Sequence, residues 1–162
     1  MDRIARDRIG ALLLAATALA ADQLSKSWAM TGLRQAGGHL KLPGPIDLTL
    51  SLNQSNAFSM TPVVGGLTRW LLTGSNLAVA AVLLWVIIKG RTRPLNTYAF
   101  GLIMAGAIGN AVDRVLFGAV VDFLDASKTG FVWIFNLADT ALNLGIGLFI
   151  LSMLMERRHA SP

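Results

Sequence analysis

Residues 68–88 read TRWLLTGSNLAVAAVLLWVII, and this apolar run decides the fold class. A helix needs about 20 predominantly apolar residues to cross the roughly 30 Å of hydrocarbon in a bilayer. Three other stretches approach that length, so that spans are predicted at about 9–29, 68–88, 95–113 and 133–155. The chain is therefore predicted to be an all-α membrane protein with four transmembrane helices, and residues 1–162 are expected to form a single domain.

The composition of the whole chain also favours a bilayer as its solvent. Of its 162 residues 54% are hydrophobic and only 14% are charged, whereas about a quarter of the residues in a soluble domain are charged. The chain has no cysteine, which excludes disulfides, thiolate metal ligands and a thiol nucleophile. Its two histidines, His39 and His159, are too few and too far apart for a zinc site. We therefore expect no metal site built from cysteine or histidine.

The basic residues predict an orientation in the membrane. Eight of the 14 lysines and arginines flank the apolar runs on one side: Arg3, Arg6, Arg8, Lys89, Arg91, Arg93, Arg157 and Arg158. Cytoplasmic loops carry such an excess, so both termini are predicted to be cytoplasmic. Anionic membrane lipid, rather than nucleic acid, is the partner expected from the net charge of +5.

The first apolar run has a second interpretation. Arginine-rich residues 1–8, the apolar run from Ile9 and the small-residue pattern at 18–20 could form a cleavable secretory signal. Cleavage would leave the orientation of the other three spans unchanged, so the charge bias does not decide between the two. We favour a retained helix, because Asp22 and Lys26 lie just beyond that pattern and fit better inside a helix.

Two segments are predicted on the outer side. Residues 31–67 contain leucines that alternate with polar residues around a Pro-Gly-Pro break at 43–45, which predicts a small two-stranded extracytoplasmic β element ending at Asn53. Residues 114–132 form a short second outer loop with a β-prone run at 120–123.

The polar residues of the spans gather at one depth. An ionisable group inside a span costs about 2.5 to 3.5 kcal/mol on insertion scales, so its position is informative. With the predicted orientation these residues share the outer half of the membrane, and Asp122 can fold back to the same level: Asp22, Lys26, Asn110, Asp113, Arg114, Asn136 and Asp139. Two carboxyl groups that share a site cannot both ionise easily, so one can act as general acid while the other activates water. A carboxylate dyad is the hydrolytic chemistry that this composition leaves open.

Five blocks of sequence, in order, resemble the motifs of bacterial lipoprotein signal peptidase, also called signal peptidase II. They are DQLSK at 22–26, Asn53 with AFS at 57–59, GAIGNAVDR at 106–114, VVDF at 120–123 and FNLAD at 135–139. The resemblance implies a four-helix aspartic peptidase of the bacterial inner membrane, with its active site near the periplasmic face. Such enzymes remove the signal peptide from prolipoproteins whose cysteine carries diacylglycerol, cutting before that cysteine. It also implies no cofactor, and we expect a monomer.

The resemblance also implies roles for nine residues. Asp122 and Asp139 would be the catalytic pair. Four polar residues would hold the substrate: Asn53, Asn110, Arg114 and Asn136. Three would be structural or supporting: Asp22, Lys26 and Asp113.

The chain departs from the family's pattern at three positions. The second block usually has Gly where Ser55 stands and a small residue where Asn56 stands, and Ala105 replaces a usual Gly. These changes affect loop geometry and packing, so they bear on substrate fit and leave both carboxylates in place.

Simpler interpretations exist for each acid. Asp122 could be a solvated loop acid, as Asp125 is expected to be, and Asp139 could pair with Arg114, which could instead pair with Asp113.

Two other functions are also open. A proton-coupled transporter would distribute acids across the membrane, whereas 83–88 and 148–155 contain no ionisable group; an assembly factor that docks partners through its outer segment would not need the acids at all.

Overall fold

Four long helices form the body of the protein. The computed structural model describes residues 2–54, 66–130 and 132–160, with the side chains of 157–160 outside the description. The helices are α1 (Arg3–Trp28), α2 (Leu67–Lys89), α3 (Pro94–Phe117) and α4 (Leu137–Ala160). The departures at Ser55 and Asn56, and the AFS part of the second motif, lie outside the described residues.

Helix α3 is the centre of the bundle and packs against the other three helices. Small residues line its contacts. A Cβ atom on Gly106 would collide with the main-chain oxygen of Ala138 in α4, and one on Gly109 would come within 2.5 Å of Oδ2 of Asp22 in α1. These two glycines therefore let α1 and α4 approach α3 at the level of the polar residues.

Three of the helices are long and apolar enough to cross a membrane: Leu67–Lys89, Pro94–Phe117 and Leu137–Glu156. Helix α1 is not among them, because charged residues interrupt both of its ends. The mostly helical fold with membrane-spanning candidates agrees with the sequence, and the fourth span remains a prediction.

A small antiparallel sheet covers one end of the bundle. Its strands are β1 (His39–Leu40), β2 (Asp47–Asn53), β3 (Val120–Asp125) and β4 (Ile134–Phe135), in that spatial order. The predicted two-stranded element is confirmed as the β1–β2 pair, and β3 and β4 from the second outer segment extend it into one four-stranded sheet. Pairing between β2 and β3 places Ser51 opposite Asp122 and Asn53 opposite Val120.

Two predicted boundaries differ from the structure. Helix α4 begins at Leu137 rather than near 133, because Ile134–Phe135 pairs with β3 as a strand. Helix α3 continues to Phe117, where Gly118 ends it with a positive φ of 76°, a conformation that glycine adopts without strain. Residues 114–117 are therefore helix rather than outer loop.

The two ends of the bundle differ in chemistry. At the end away from the sheet, the guanidinium of Arg8 donates to the main-chain oxygen of Gly90 at 2.8 Å, and Arg93 pairs with Glu156 at 2.9 Å. At the sheet end, a short π-helical turn at Ala29–Leu33 extends α1 and packs against Phe123 of β3. This second contact fixes the sheet over the polar residues of the helices.

Candidate active site

A buried ion cluster lies where α1 and α3 meet under the sheet. The ammonium of Lys26 is 2.8 Å from Oδ2 of Asp22, one turn earlier in α1, and 2.8 Å from Oδ2 of Asp113 in α3. All three residues are at most 2% exposed. A buried charge is tolerated only when it is paired and hydrogen-bonded, and here each carboxylate has further donors.

The same carboxylates fix the neighbouring main chain. Oδ2 of Asp113 accepts from the main-chain N–H of Val121 in β3 at 3.0 Å, and Oδ1 of Asp22 accepts from the N–H of Ala138 in α4 at 2.8 Å. Val121 and Ala138 are each adjacent in sequence to one of the expected catalytic acids. The ion cluster therefore holds the backbone that carries both acids.

Asp122 is buried between two asparagines. Asp122 is only 2% exposed. Its Oδ2 accepts from Nδ2 of Asn53 at 2.9 Å, and its Oδ1 accepts from Nδ2 of Asn136 at 2.7 Å. Asn53 reaches it diagonally across the β2–β3 pair, so the sheet supplies one of the two donors.

Asp139 lies in the first turn of α4, beside a third asparagine. Its Oδ1 accepts from Nδ2 of Asn110 at 2.8 Å, while its main-chain N–H donates to Oδ1 of Asn136 at 2.8 Å. Asn136 is thus the N-cap of α4, since an N-cap side chain accepts from the third residue of the helix.

The two acids are joined through these amides. Nδ2 of Asn136 is 3.2 Å from Oδ1 of Asn110, so Asn136 and Asn110 form a bridge from Asp122 to Asp139. Asp122 and Asp139 are close enough to repel each other electrostatically. An ionisable pair of this kind can hold one proton between two carboxyl groups.

Arg114 faces the same space from the end of α3. It donates to the main-chain oxygen of Asn110 at 3.3 Å and lies close enough to Asp139 and Asp113 to attract both. Asp113 makes its ion pair with Lys26 instead. Four of the five guanidinium donors of Arg114 are not used in that hydrogen bond, so it can bind an acceptor on a ligand.

Burial changes the acidity of Asp122. It raises the pKa of Asp122 from 3.8 to about 6, because the charged form loses contact with water. The hydrogen bond from Asn53 lowers this pKa, repulsion by Asp139 raises it, and the hydrogen bond from Asn136 lowers it. Asp122 is therefore not the solvated loop acid of the simpler interpretation.

The contribution of Asn53 can be measured directly. The carboxyl stretch of Asp122, followed by infrared spectroscopy with isotope-labelled aspartate, should titrate near pH 6. Replacing Asn53 with alanine removes a donor to the ionised carboxylate, so the midpoint should move to higher pH. Thr49→Ala is the matched control on the same strand, because Thr49 donates to Asp125 at 2.7 Å instead. Equal midpoints in Asn53→Ala and wild type would show that Asn53 does not stabilise the charged form.

An apolar groove lies beside the start of α4. It has a volume of about 360 Å³ and lies between β4 and the first turns of α4, where it is lined by Trp133, Phe135, Thr140, Asn143 and Leu144. Both polar side chains are bound internally, since Thr140 donates to the main-chain oxygen of Asn136 and Asn143 to that of Asp139. The groove therefore presents a largely apolar surface.

All nine residues expected from the sequence lie in this one region. Sequence reasoning missed Gln23, whose Nε2 donates to Oδ2 of Asp22 at 3.1 Å and to Oδ1 of Asp113 at 3.3 Å. Its position inside the first motif was the available signal. Asn143 contacts Asp139 through the main chain, since its Nδ2 donates to the main-chain oxygen of Asp139 at 2.9 Å.

Fold and site together define an α-helical membrane enzyme. Two solved structures described as bacterial membrane enzymes, determined by the in meso method, are similar to this chain. The first has a TM-score of 0.78 and 26% identity and covers 94% of this chain and 92% of its own. The second has a TM-score of 0.77 and 28% identity, covering 90% and 92%.

The sequence comparisons identify the family. The model of the signal peptidase (SPase) II family matches residues 14–155. A lipoprotein signal peptidase of Caulobacter vibrioides is 40% identical over 92% of this chain and 89% of its own length, and one of Azoarcus sp. is 40% identical over 91% and 84%. The chain belongs to the signal peptidase II family, as its motifs indicated, and is a membrane peptidase.

Proposed function

We propose that this chain is an intramembrane aspartic endopeptidase that removes the signal peptide from diacylglyceryl-modified prolipoproteins, cutting before the lipidated cysteine. The observation that carries the proposal is the bridge between the two carboxyl groups, in which Asn136 binds Asp122 and Asn110 binds Asp139. Family membership supplies the class of reaction, and the two acids supply the chemistry without a metal or a cofactor.

In the proposed mechanism Asp122 and Asp139 share one proton. The ionised acid takes a proton from a water molecule, whose oxygen attacks the carbonyl carbon of the scissile peptide bond. The protonated acid then gives its proton to the departing amine of the lipidated cysteine as the C–N bond breaks. Because coupled carboxyl groups titrate as a pair, either acid could play either role.

The proposed substrate contacts come from the amides and the guanidinium around the acids. The peptide lies extended beside β2, where Asn53 ends the strand, so that its main-chain carbonyls face side-chain donors. Arg114 is the best-supplied donor, since it has several N–H groups beyond the one bound to Asn110. Asn110 and Asn136 bind the two acids and are also proposed to bind the substrate.

The proposed membrane topology has four spans, with α1 as the fourth. Its 26 residues measure about 39 Å at 1.5 Å per residue, which is enough to cross a bilayer. Asp22 and Lys26 are paired inside the bundle, so they do not meet lipid. The arginines near Gly90 lie at the end opposite the acids, which favours cytoplasmic termini and an active site near the periplasmic face of the inner membrane.

This topology suits a lipid-bearing substrate. The groove at the start of α4 begins in a candidate span, so the apolar part of the substrate can stay in lipid while its peptide bond reaches water at the membrane surface. All nine proposed site residues come from one copy of the chain. The proposed active form is therefore a monomer, and residues 1–162 are proposed to form its single domain.

The decisive test is cleavage in vitro by the purified protein. A diacylglyceryl prolipoprotein and its unlipidated form are incubated in parallel, and mass spectrometry locates the new ends. We expect cleavage only of the lipidated form, on the amino side of the modified cysteine. Cleavage of neither would remove the proposed activity, and equal cleavage of both would indicate a peptidase of different specificity.

A proton-coupled transporter is the alternative that shares the intramembrane acids. It needs a chain of ionisable groups from one face to the other. In the described structure the fully buried acids lie at the sheet end of the bundle, whereas the Arg93–Glu156 pair at the other end is largely exposed. The peptidase therefore accounts for the site better than transport does.

A further inference from the structure

We propose that Lys26 is a positioning residue for Asp139: its ammonium fixes the amide of Asn110 so that Asn110 donates to Asp139. This inference rests on the proposed function, since it gives Lys26 a task in catalysis through another residue. An ion pair within one helix would by itself need only Asp22.

The first step is the number of donors on the ammonium. A lysine has three N–H donors. The structure gives Nζ of Lys26 three acceptors: Oδ2 of Asp22 at 2.8 Å, Oδ2 of Asp113 at 2.8 Å and Oδ1 of Asn110 at 3.2 Å. Lys26 is 2% exposed, so the two aspartates and the asparagine saturate it.

The second step is the orientation of the Asn110 amide. Its Oδ1 faces two donors, Nζ of Lys26 at 3.2 Å and Nδ2 of Asn136 at 3.2 Å. A reversed amide would place an NH₂ group against these two donors and an oxygen against the carboxylate of Asp139. Lys26 has no acceptor, so only the observed orientation satisfies every group.

The third step is the consequence for Asp139. With its oxygen held by Lys26 and Asn136, Asn110 must direct Nδ2 away from them, and that nitrogen is 2.8 Å from Oδ1 of Asp139. Asn110 is only 7% exposed, so water cannot easily replace the lost partner if Lys26 is removed. Only Asn136 would then hold the amide oxygen, so the amide would be less firmly fixed as a donor to Asp139.

The experiment must separate this task from the stability of the ion cluster. Removing Lys26 alone would leave two unpaired buried carboxylates, so each variant at position 26 is combined with Asp113→Asn, which keeps the net charge of the cluster at about −1. An asparagine at 113 can still accept from the N–H of Val121. The two test proteins are Lys26→Met/Asp113→Asn and Lys26→Gln/Asp113→Asn, and Asp113→Asn alone is the reference.

Methionine and glutamine have similar size, and both are neutral, but only glutamine can donate to Asn110. We expect the methionine double variant to lower kcat for the diacylglyceryl prolipoprotein by about 10- to 100-fold relative to Asp113→Asn, as for a lost hydrogen bond in a charged network. KM should stay within about twofold, and the glutamine variant should recover part of kcat. Equal kcat values, per folded molecule, in both double variants would overturn the proposal.

A spectroscopic measurement makes the result independent of turnover. The carboxyl stretch of Asp139, assigned by subtracting the infrared spectrum of Asp139→Asn in isotope-labelled protein, should shift in the methionine double variant and return toward its reference position in the glutamine variant. An unchanged band in both would also overturn the inference. If the wild type cleaves no prolipoprotein, the proposed function fails, whereas the infrared shift still tests the contact between Lys26 and Asn110.

Discussion

Replacing either Asp122 or Asp139 with asparagine is expected to lower kcat for a diacylglyceryl prolipoprotein at least a thousandfold while the protein stays folded. Asparagine has almost the size of aspartate, but it cannot accept or release the proton that hydrolysis requires. General acid–base catalysis by one group contributes about 10² to 10⁴ in rate. Here the two acids act as a pair, so the loss of either one leaves no pair that can take a proton from water and give a proton to the departing amine.

Folding should survive because the substitution removes a carboxylate that burial disfavours. Asp122 has its pKa raised to about 6 by burial, so a neutral side chain there avoids part of the desolvation cost. An asparagine at 122 still offers one oxygen to Asn136 or Asn53, although its own NH₂ group then faces the other donor. Thermal unfolding of the purified variants should therefore give melting temperatures within a few degrees of the wild type.

Asp125→Asn is the matched control for this prediction. Asp125 lies at the end of the same strand, where its carboxylate accepts from Thr49 at 2.7 Å and from the N–H of Ser127 at 2.9 Å. The same chemical change there should leave kcat within about twofold. Retained cleavage by a folded Asp139→Asn protein would contradict the dyad, and a docking or assembly protein would keep its function in all three variants.

Much of the architecture follows from local signals in the sequence. Hydropathy located α2 and the apolar part of α4, because a long run of apolar residues needs no knowledge of its neighbours. The charged residues were equally informative, since Asp22, Lys26 and Asp139 are costly inside a bilayer and therefore indicated a shared polar site. The five motif blocks, in their order along the chain, predicted the signal peptidase II family, and the family comparison confirms that prediction.

Other features depend on contacts between distant parts of the chain. The pairing of β2 with β3, which brings Asn53 to Asp122, joins residues 69 positions apart, and no local pattern specifies such a pair. The start of α4 was placed too early because Ile134 and Phe135 are apolar and read as helix, whereas β3 takes them as a strand. The roles given to individual site residues remain predictions until variants are measured.

Asn136 gives the second large effect, because its side chain forms hydrogen bonds with both Asp122 and Asp139. It donates to Asp122 at 2.7 Å and accepts from the N–H of Asp139 at 2.8 Å, and it is fully buried. Asn136→Ala removes both bonds. We expect kcat to fall on the order of a hundredfold, as for lost bonds to charged groups, and stability to fall by about 1 to 2 kcal/mol through the lost N-cap.

The Asn136→Asp variant separates these two effects. Aspartate caps a helix as well as asparagine does, so the N-cap of α4 should be retained, although a third carboxyl group at this fully buried position should lower the melting temperature. When ionised it cannot donate to Asp122, and its negative charge should raise the pKa of Asp122 further through repulsion between like charges. We therefore expect a folded protein whose kcat is reduced at least as much as that of Asn136→Ala.

Asn143→Ala is the control one turn further into the helix beyond Asp139. Asn143 is exposed and donates only to the main-chain oxygen of Asp139 among the hydrogen bonds of the described residues, at 2.9 Å. Its loss should change kcat less than threefold. If Asn136→Asp cleaved as fast as Asn143→Ala, Asn136 would be a helix cap alone, and the bridge between the two carboxyl groups would have no part in catalysis. A folded but inactive Asn136→Asp protein, together with the loss of kcat expected for Asn136→Ala, would instead mean that the donor to Asp122 matters for the reaction, because the aspartate retains the cap and lacks that donor when ionised.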